Sequence, residues 1–418
     1  MLIHWIWFAQ STGLSHREKL ELLRQFRDPE DIYYANDDAF SGVEGLTAEG
    51  AQTLADKNLV PAEEILEACA RERIHILTYR DAAYPAKLKN IADPPLILYY
   101  KGRLPEFDRS PLIAVVGTRK ASAYGLGIAK RMGYQIGKCG GIVVSGLAYG
   151  IDGMAMGGAL TAGQTVVGVL GCGVDVVYPA SNRGLFTDTM AHGCLISEYP
   201  PGTEPFKWNF PRRNRIISGI SDGVLIVEAP EKSGALITAR QGLEQGRDVF
   251  VVPGNVDVPT CAGSNALLRD GAIAVATGWD VMEEYVHLYP DKIRKDTSPS
   301  HQSGYPDEVA KAAETTPKVA QKPKNLKASH PNRKEKEKKG IDKPTSLPYS
   351  DGNDTHSGLS DNERKVVELL SGGEQLVDDV IARAELPAGT VQAALTMLEI
   401  KGVITRLPGN RVRRNKGY

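Results

Sequence analysis

The sequence predicts an α/β protein built on an extended Rossmann-like, doubly wound and mostly parallel sheet. The first observation is a series of continuous Val-, Ile- and Leu-rich runs with helical segments between them: "PLILYY", "LIAVVG", "GIVVSG", "TVVGVLG", "GVLIVEA" and "DVFVVPG". Runs without polar alternation are typical of strands buried on both faces. The second observation is that this region lies between a helical N-terminal segment and a C-terminal segment with winged-helix order.

Changes in composition divide the chain into four predicted parts. We expect a small all-α domain at 1–70, the Rossmann-like domain at 71–290, a Pro- and Lys-rich disordered linker at 291–357 and a winged-helix domain at 358–418. The linker has almost no large apolar residues and therefore cannot form a core.

Composition and charge limit the functional classes. The 418 residues carry a net charge of −1, so any nucleic-acid site must be a local basic patch. No apolar run reaches membrane-spanning length, and the opening "MLIHWIWFAQ" reads as a core helix and not as a signal peptide. Five scattered cysteines without C-x-x-C spacing favour a reducing cytoplasm and argue against a disulfide framework or a zinc site.

The sequence does not determine whether the two terminal segments contact DNA or protein. In the N-terminal part, the turn Gly42–Leu46 precedes an alanine-rich helix, which resembles a helix-hairpin-helix or SAM-like module. Such a hairpin either contacts a phosphate backbone or only packs, and the acidic Glu44 favours packing. At the C-terminus the predicted recognition helix offers Thr390, Gln392 and Thr396 and almost no positive charge. That favours protein contact or weak backbone binding over sequence-specific recognition, although arginines in the wing keep DNA contact open.

Small and basic residues follow the central strands. In an open parallel sheet the ligand crevice lies beyond the carboxyl ends of the strands, so these residues are expected to meet at one edge. "LIAVVG" is followed by Thr118 and Arg119, although neither G-x-G-x-x-G nor a P-loop pattern is present. This strand–turn–helix order directs backbone N–H groups at an anion. A single glycine here is more often a packing residue, but repetition at several strand ends favours a phosphate site.

The same loops give no pattern for catalysis. Their carboxylates, among them Asp152, Glu228 and Glu244, show neither acid–base spacing nor a metal-ligand cluster, and Ser145 has no histidine partner in sequence. We therefore expect no catalytic residue, no cofactor and no metal, and we do not expect an enzyme.

Five motifs, in order, resemble the DNA-processing protein A (DprA/Smf) family: "GTRKASAYG", "VSGLAYGIDGMAMGGAL", "FPRRNRIISGIS", "VEAPEKSGALITARQGLEQGRDVFVVPGN" and "GSNALLRDGA". The resemblance implies binding of single-stranded DNA in the crevice, protection of incoming DNA, a homodimer formed through the Rossmann fold, and loading of RecA recombinase during natural transformation. It implies no membrane association.

A polynucleotide presents separate phosphates, each of which an arginine can grip bidentately. We expect stacking from Tyr124, Tyr149, Tyr199, Phe206 and Trp208, although each alone is more often core or dimer packing. We expect either Arg212 or Arg215 to reach the strand, both being exposed and of little weight for folding. The predicted DNA-binding residues are Gly117, Thr118, Arg119, Ser145, Gly146, Arg212, Asn214, Arg215, Lys232, Ser233, Gly234, Thr238, Asn255, Gly263, Ser264 and Asn265.

Two alternatives remain at this point. One is a nucleotide-processing, phosphoribohydrolase-like enzyme of the same Rossmann variant, which the missing Pro-Gly-Gly-x-Gly-Thr loop disfavours. The other is a transcriptional regulator that acts through the winged helix.

Overall fold

The computed structural model describes residues 1–296, 360–370, 373–384, 386, 388–401, 403–407 and 411–415. The predicted linker spans 291–357, and its part from residue 297 onwards lies outside these residues. The tip of the predicted wing also lies outside them. The chain divides into two compact units, with the described residues up to 296 in the first and those from 360 onwards in the second. The predicted domain boundaries stay predictions.

The first part of the chain contains five α-helices, in the segment for which the sequence predicted short helices. They are α1 (Leu2–Gln10), α2 (His16–Gln25), α3 (Pro29–Tyr34), α4 (Ala48–Ala55) and α5 (Val60–Glu72). Helix α2 starts with a capping box, in which the Glu18 N–H donates to Ser15 Oγ (3.3 Å) and the Ser15 N–H donates to Glu18 Oε2 (2.7 Å). The second oxygen of Glu18 accepts from the Thr47 N–H (2.8 Å), so one carboxylate joins the start of α2 to the turn before α4.

A nine-stranded sheet forms the centre of the first unit. Its spatial order is β1-β2-β6-β5-β4-β3-β7-β8-β9, with β1 and β2 antiparallel to their neighbours and all other pairs parallel. The strands are β1 (His75–Thr78), β2 (Ile97–Gly102), β3 (Leu112–Val116), β4 (Ile142–Ser145), β5 (Val166–Val169), β6 (Cys194–Ser197), β7 (Gly223–Ile226), β8 (Asp248–Val251) and β9 (Ile273–Ala274).

The sequence predicted six of these strands and missed β1, β6 and β9. Strand β9 is only two residues long and exposed, whereas β1 and β6 have four residues each, as four of the predicted strands do, so length does not explain why these two were missed. The predicted fold class is confirmed.

Helices cover both faces of the sheet, as a doubly wound fold requires. They are α6 (Ala86–Lys89), α7 (Ala123–Lys138), α8 (Ile151–Thr161), α9 (Arg183–His192), α10 (Asn209–Gly219), α11 (Gly234–Glu244), α12 (Ala262–Arg269) and α13 (Gly278–Met282). Alternate residues of β3 belong to opposite apolar layers: Ile113 lies in the cluster that contains residues of α7 and α8, whereas Ala114 lies in the cluster that contains residues of α10 and α11.

The second unit has the element order of a winged helix. It contains α14 (Asp361–Leu369), α15 (Val377–Arg383), α16 (Ala388–Ile400) and a three-stranded antiparallel sheet of β10 (Gln375–Leu376), β11 (Ile404–Leu407) and β12 (Arg411–Arg414). Its own apolar core includes Val366, Val380, Leu395 and Val412. Among the described residues, no helix is long and apolar enough to cross a bilayer.

Glycines let α7 and α8 approach closely. A Cβ at Gly133 would overlap the Ala155 carbonyl, and a Cβ at Gly158 would overlap the Lys130 carbonyl. Gly157, the neighbour of Gly158 on the same helix, faces open space.

We expect opposite stability effects from alanine at these neighbouring positions. Gly158→Ala should lower the free energy of unfolding by about 1–3 kcal/mol because the added methyl group forces the helices apart. Gly157→Ala should raise it by about 0.4–1 kcal/mol because the unfolded chain loses conformational freedom. Urea unfolding of both variants measures the difference, and equal shifts in the same direction would contradict the packing described.

Candidate nucleic-acid interface

A small cleft lies at the carboxyl ends of β3, β4 and β5, where the sequence predicted a ligand crevice. Helix α10 closes one side of it. The cleft is lined by Arg119, Gly146, Ala148, Leu170, Gly171, Cys172, Tyr178, Pro179, Phe210 and Arg213. It therefore combines loops from three parallel strands with the first turns of α10, next to the switch point between β3 and β7.

Arg119 is held over this cleft by the loop that follows β3. The Thr118 N–H donates to the Glu228 carbonyl (2.8 Å), and the Ile151 N–H donates to the Thr118 carbonyl (3.3 Å). The exposed Arg119 guanidinium lies 5.1 Å from the centre of the Phe210 ring. Stacking on an aromatic ring orients the guanidinium and leaves its N–H donors at the ring edge available to an anion.

Arg213 is buried beneath the cleft. Its Nη1 donates to the Gly146 carbonyl (3.3 Å) and to the Val169 carbonyl, which joins α10 to the ends of β4 and β5. Burial lowers the pKa of Arg213 to about 10, although the nearby carboxylate of Asp152 acts to raise it. Burial also raises the pKa of Asp152, against the Arg213 charge and the Gly146 N–H (3.2 Å).

Gly146 is required by this arginine. A Cβ at Gly146 would overlap the Arg213 guanidinium. Its small size therefore serves internal packing, whereas the sequence interpretation assigned it to a close approach by phosphate.

The N-terminus of α7 holds an internal carboxylate. Glu228 follows β7, and its Oε1 accepts from the Ser122 N–H (3.0 Å) while its Oε2 accepts from Ser122 Oγ (2.6 Å). Ser122 Oγ also accepts from the Gly125 N–H (3.0 Å), which caps the helix. The sequence predicted that this helix start would address a phosphate, but Glu228 takes the place that such an anion would need.

The start of α11 presents an open glycine beside α10. Ser233 caps the helix by accepting from the Ala235 N–H (3.3 Å), and Asn214 Nδ2 donates to the Gly234 carbonyl (3.4 Å). No atom lies within 4 Å of a Cβ placed on Gly234, and the neighbouring Lys232 is exposed. An open helix start beside an exposed cation is an arrangement that suits an anion.

Arg215 is committed to internal ion pairs. Its guanidinium pairs with Glu198 through Nη1 and with Asp93 Oδ2 through Nε (3.1 Å), and Asp93 Oδ1 also pairs with His16 Nδ1 (2.8 Å). Burial acts to raise the pKa of Asp93, but the His16 hydrogen bond and the Arg215 charge lower it to about 2. Only 12% of the Arg215 side chain is exposed, so the expectation that both Arg212 and Arg215 are exposed is wrong for Arg215. Arg212 is exposed.

Several other predicted site residues lie inside the fold. Ser145 Oγ donates to the Val115 carbonyl (2.6 Å), Ser264 Oγ donates to the Cys261 carbonyl (3.0 Å), and Thr238 is buried. Gly263 packs against the Pro230 carbonyl, and Asn265 exchanges hydrogen bonds with the backbone of Gly254 (3.1 and 3.2 Å). These residues shape the loops that carry the exposed groups.

The remaining predicted site residues differ in their exposure to solvent. Gly117 packs against Ile151, and Thr118 is buried, with its Oγ1 accepting from the Lys120 N–H (3.2 Å). Asn255 is exposed after β8.

Exposed aromatic rings lie before α10. Phe206 and Trp208 stack with ring centres 4.8 Å apart and planes at 4°, and 65% of Trp208 is exposed. Tyr124 and Tyr149 are also exposed, whereas Tyr199 is half-buried and its pKa is raised to about 12 by burial. Flat, exposed rings of this kind suit stacking of unpaired bases.

Sequence reasoning did not assign a role to two residues that line the cleft, Phe210 and Tyr178, or to Glu228 beside it. Phe210 supports Arg119 and stacks on Tyr178 at 5.4 Å, and Glu228 fills the start of α7. Phe210 begins the quoted motif "FPRRNRIISGIS", so its position next to the arginines was a usable signal.

The chain matches known proteins over both units. A family model described as DNA recombination-mediator protein A matches residues 75–286, and one described as the DprA winged helix domain matches residues 353–410. DNA processing protein DprA of Bacillus subtilis is 42% identical over 220 residues, which are 53% of this chain and 74% of the relative.

Two further proteins extend the similarity. Protein Smf of Synechocystis sp. is 31% identical over 418 residues, which cover 98% of each chain. The X-ray structure of DNA processing protein A from Streptococcus pneumoniae has a TM-score of 0.60 and 31% identity, covering 68% of this chain and 98% of that one.

The ion pairs of Arg215 predict different roles for the two arginines of α10. Arg215→Ala should lower the free energy of unfolding by about 2–4 kcal/mol because it leaves Asp93 and Glu198 without their cation. Arg212→Ala, the matched control, should change it by less than about 0.5 kcal/mol because the side chain is exposed. Urea unfolding at pH 7 provides the comparison.

The effect of Arg215 should also depend on pH. The pKa of Asp93 is lowered in the folded state, so its ionic contribution is present above about pH 4 and is lost as the pH falls towards 2. The stability difference between wild type and Arg215→Ala should shrink over that interval. A difference that stays constant down to pH 2 would show that the Asp93 ion pair does not contribute.

Proposed function

The chain belongs to the DNA recombination-mediator protein A family, and we propose on that basis that it binds single-stranded DNA along the carboxyl edge of its sheet. In this proposal the protein protects incoming DNA and loads RecA recombinase onto it, in the cytoplasm, during transformation and recombination. It acts as a homodimer formed through the Rossmann domain and performs no chemistry of its own. The loading step and the dimer rest on family membership.

Arg119 carries the proposal for DNA binding. It is an exposed guanidinium, stacked on Phe210 above a cleft at the edge where parallel sheets bind ligands. It makes no ion pair with any residue that the structure describes. An arginine that is oriented by an aromatic ring and makes no internal ion pair is suited to bind one phosphate of a polynucleotide.

Further exposed groups support a path longer than one phosphate. Arg212 on α10, Lys232 and Gly234 at the start of α11, and Asn255 after β8 all belong to this side of the fold. We propose these as direct contacts with the strand. The other predicted residues position them: Gly117, Thr118, Ser145, Gly146, Asn214, Arg215, Ser233, Thr238, Gly263, Ser264 and Asn265.

The Phe206–Trp208 pair supports binding of single strands over duplexes. A duplex hides the faces of its bases, whereas an unpaired strand can lay a base on an exposed ring. Stacking has little sequence preference because every base has such a face, which fits a protein that must accept any incoming DNA.

Glu228 supports a polymer ligand over a nucleotide substrate. A mononucleotide in a Rossmann-type fold places its phosphate at the helix start by the switch point. Here Glu228 occupies that start on α7, and a second negative charge beside it is unfavourable.

Arg119→Ala should weaken binding of oligo-dT by roughly 1.5–3 kcal/mol because a charge-assisted phosphate contact is lost. The slope of log affinity against log salt concentration should fall by about 0.7. Fluorescence anisotropy across a salt series measures both quantities.

Lys138→Ala is the matched control for Arg119→Ala. Lys138 is an exposed cation at the end of α7, which runs back from the carboxyl edge to the opposite edge of the sheet. Wild-type affinity and slope in Arg119→Ala, or equal losses in both variants, would refute the assignment of Arg119.

Trp208→Ala should weaken oligo-dT binding by about 1–3 kcal/mol through loss of base stacking. In contrast to Arg119→Ala, it should leave the salt slope unchanged because no phosphate contact is removed. Trp208→Phe keeps an aromatic face and should retain most of the affinity. If Trp208→Phe is as weak as Trp208→Ala, or if neither variant loses affinity, Trp208 does not stack on DNA.

A further inference from the structure

A second groove lies between the N-terminal helices and the far end of the sheet, outside the cleft described above. Its volume is about 960 Å³, and its walls come from α2, from the turn before α4 and from the segment that follows β1. Four cationic side chains line it: Arg17, Arg24, Arg80 and Lys89. Two carboxylates, Glu21 and Glu44, also line it, so its formal charge is four minus two, or +2.

Internal contacts hold two of these cations without neutralising them. Arg80 Nη2 donates to the carbonyls of Leu23 (2.6 Å) and Phe26 (3.3 Å), which fixes the guanidinium at the end of α2. Lys89 Nζ lies 5.4 Å from the centre of the Tyr79 ring. Neutral carbonyls and aromatic rings orient these cations, but the positive charge stays available to an anion in the groove.

The other two cations differ in their partners. Arg24 forms a 2.8 Å ion pair with Glu21 and is therefore locally balanced. Arg17 is exposed at the start of α2 and makes no ion pair with a described residue. Arg80 Nη2 already donates to two carbonyls, whereas Lys89 contacts only aromatic rings among the described residues, so Arg17 and Lys89 are the two cations best placed to contact a ligand.

The groove opens on the same edge of the sheet as the Arg119 cleft. Strand β1 is antiparallel to β2, and β2 is antiparallel to β6, so β1 runs in the direction of the parallel strands. Tyr79 and Arg80, directly after β1, therefore lie at the carboxyl edge, as Thr118 and Arg119 do after β3. Five strand spacings separate β1 from β3, which corresponds to about 24 Å.

Residues of α10 span the interval between the two sites. Arg212 is exposed on α10, the helix whose Phe210 and Arg213 line the Arg119 cleft. One turn further along α10, Arg215 donates through Nε to the Asp93 carbonyl (2.9 Å). Ala92, the neighbour of Asp93, already belongs to the wall of the groove.

We propose that this groove is a second phosphate-binding segment, which takes the continuation of a single DNA strand that leaves the Arg119 cleft along α10. The proposal rests on the proposed function. Single-stranded nucleic acid is favoured over an acidic protein segment because the groove shares its edge and its bridging helix with the cleft. The segment that contacts the strand is centred on Arg17 and Lys89.

Oligonucleotides of two lengths can distinguish binding at the Arg119 cleft from binding at the groove. A tetranucleotide covers only about 10–14 Å at the stacked spacing of 3.4 Å per nucleotide, so oligo-dT4 cannot fill both sites in that form, whereas oligo-dT20 spans them. In the full chain, Arg17→Glu and Lys89→Gln should each weaken binding of oligo-dT20 roughly five- to tenfold and leave oligo-dT4 within about twofold of wild type.

Two further variants show whether a loss of binding comes from the groove or from impaired folding. Glu44→Gln removes a carboxylate from an exposed turn and should tighten binding of oligo-dT20 by about two- to threefold, without an effect on oligo-dT4. Lys138→Glu, at the opposite edge of the sheet, is the control for charge reversal and should lower dT20 affinity by less than twofold.

The outcomes distinguish this inference from the proposed function. If Arg119→Ala weakens both oligonucleotides while Arg17→Glu, Lys89→Gln and Glu44→Gln leave dT20 binding unchanged, the groove is not part of the DNA path and the proposed function stands. Equal losses for dT4 and dT20 in the groove variants would also overturn the inference. If oligo-dT does not bind to the wild-type chain at all, the proposed function itself fails.

Discussion

The candidate interface depends on the position of α10, which the buried guanidinium of Arg213 fixes. By donating to carbonyls at the ends of β4 and β5, Arg213 ties the helix to the carboxyl edge of the sheet. Phe210 lies one turn earlier on the helix and consequently supports Arg119 from below. A buried charge is costly unless its hydrogen bonds are made, so this helix cannot shift along the edge without leaving the guanidinium unsatisfied. The arrangement therefore fixes the position of the Arg119 side chain and still leaves it exposed to solvent.

Three arginines within four positions of one helix have three different environments, and only part of this was predictable. The density of positive charge in the sequence indicated a basic site, but it did not show which of the three arginines would be exposed. Helical periodicity offered a further signal: Arg213 precedes Ile216 and Ile217 by three and four positions, so it shares their buried face. The ion pairs of Arg215 with Glu198 and Asp93 were beyond the sequence, because these partners are 17 and 122 residues away and meet only through the sheet order.

The role of each glycine was likewise only partly predictable from the local sequence. The sequence indicated the edge at which the loops converge because apolar runs reveal strand ends, and that expectation agrees with the structure. Which glycine faces a ligand depends on its surroundings in space: Gly234 is open, whereas Gly146 accommodates Arg213 and Gly263 meets the Pro230 carbonyl. A glycine that allows a backbone to approach a phosphate and one that allows two protein groups to touch look identical in sequence.

Glu228 distinguishes the start of α7 from the corresponding helix start in a dinucleotide-binding fold. In a dinucleotide-binding fold the helix start at the switch point is empty and its N–H groups wait for a pyrophosphate. In this chain a carboxylate from the end of β7 accepts from the N–H and the hydroxyl of Ser122, the N-cap of α7, so an internal anion already lies at that helix start. Under the proposed function, anion binding is therefore assigned to exposed side chains at the rim of the cleft, such as that of Arg119. In that proposal the strand lies along an exposed edge and not inside an enclosed pocket, so the site does not limit the length of the strand.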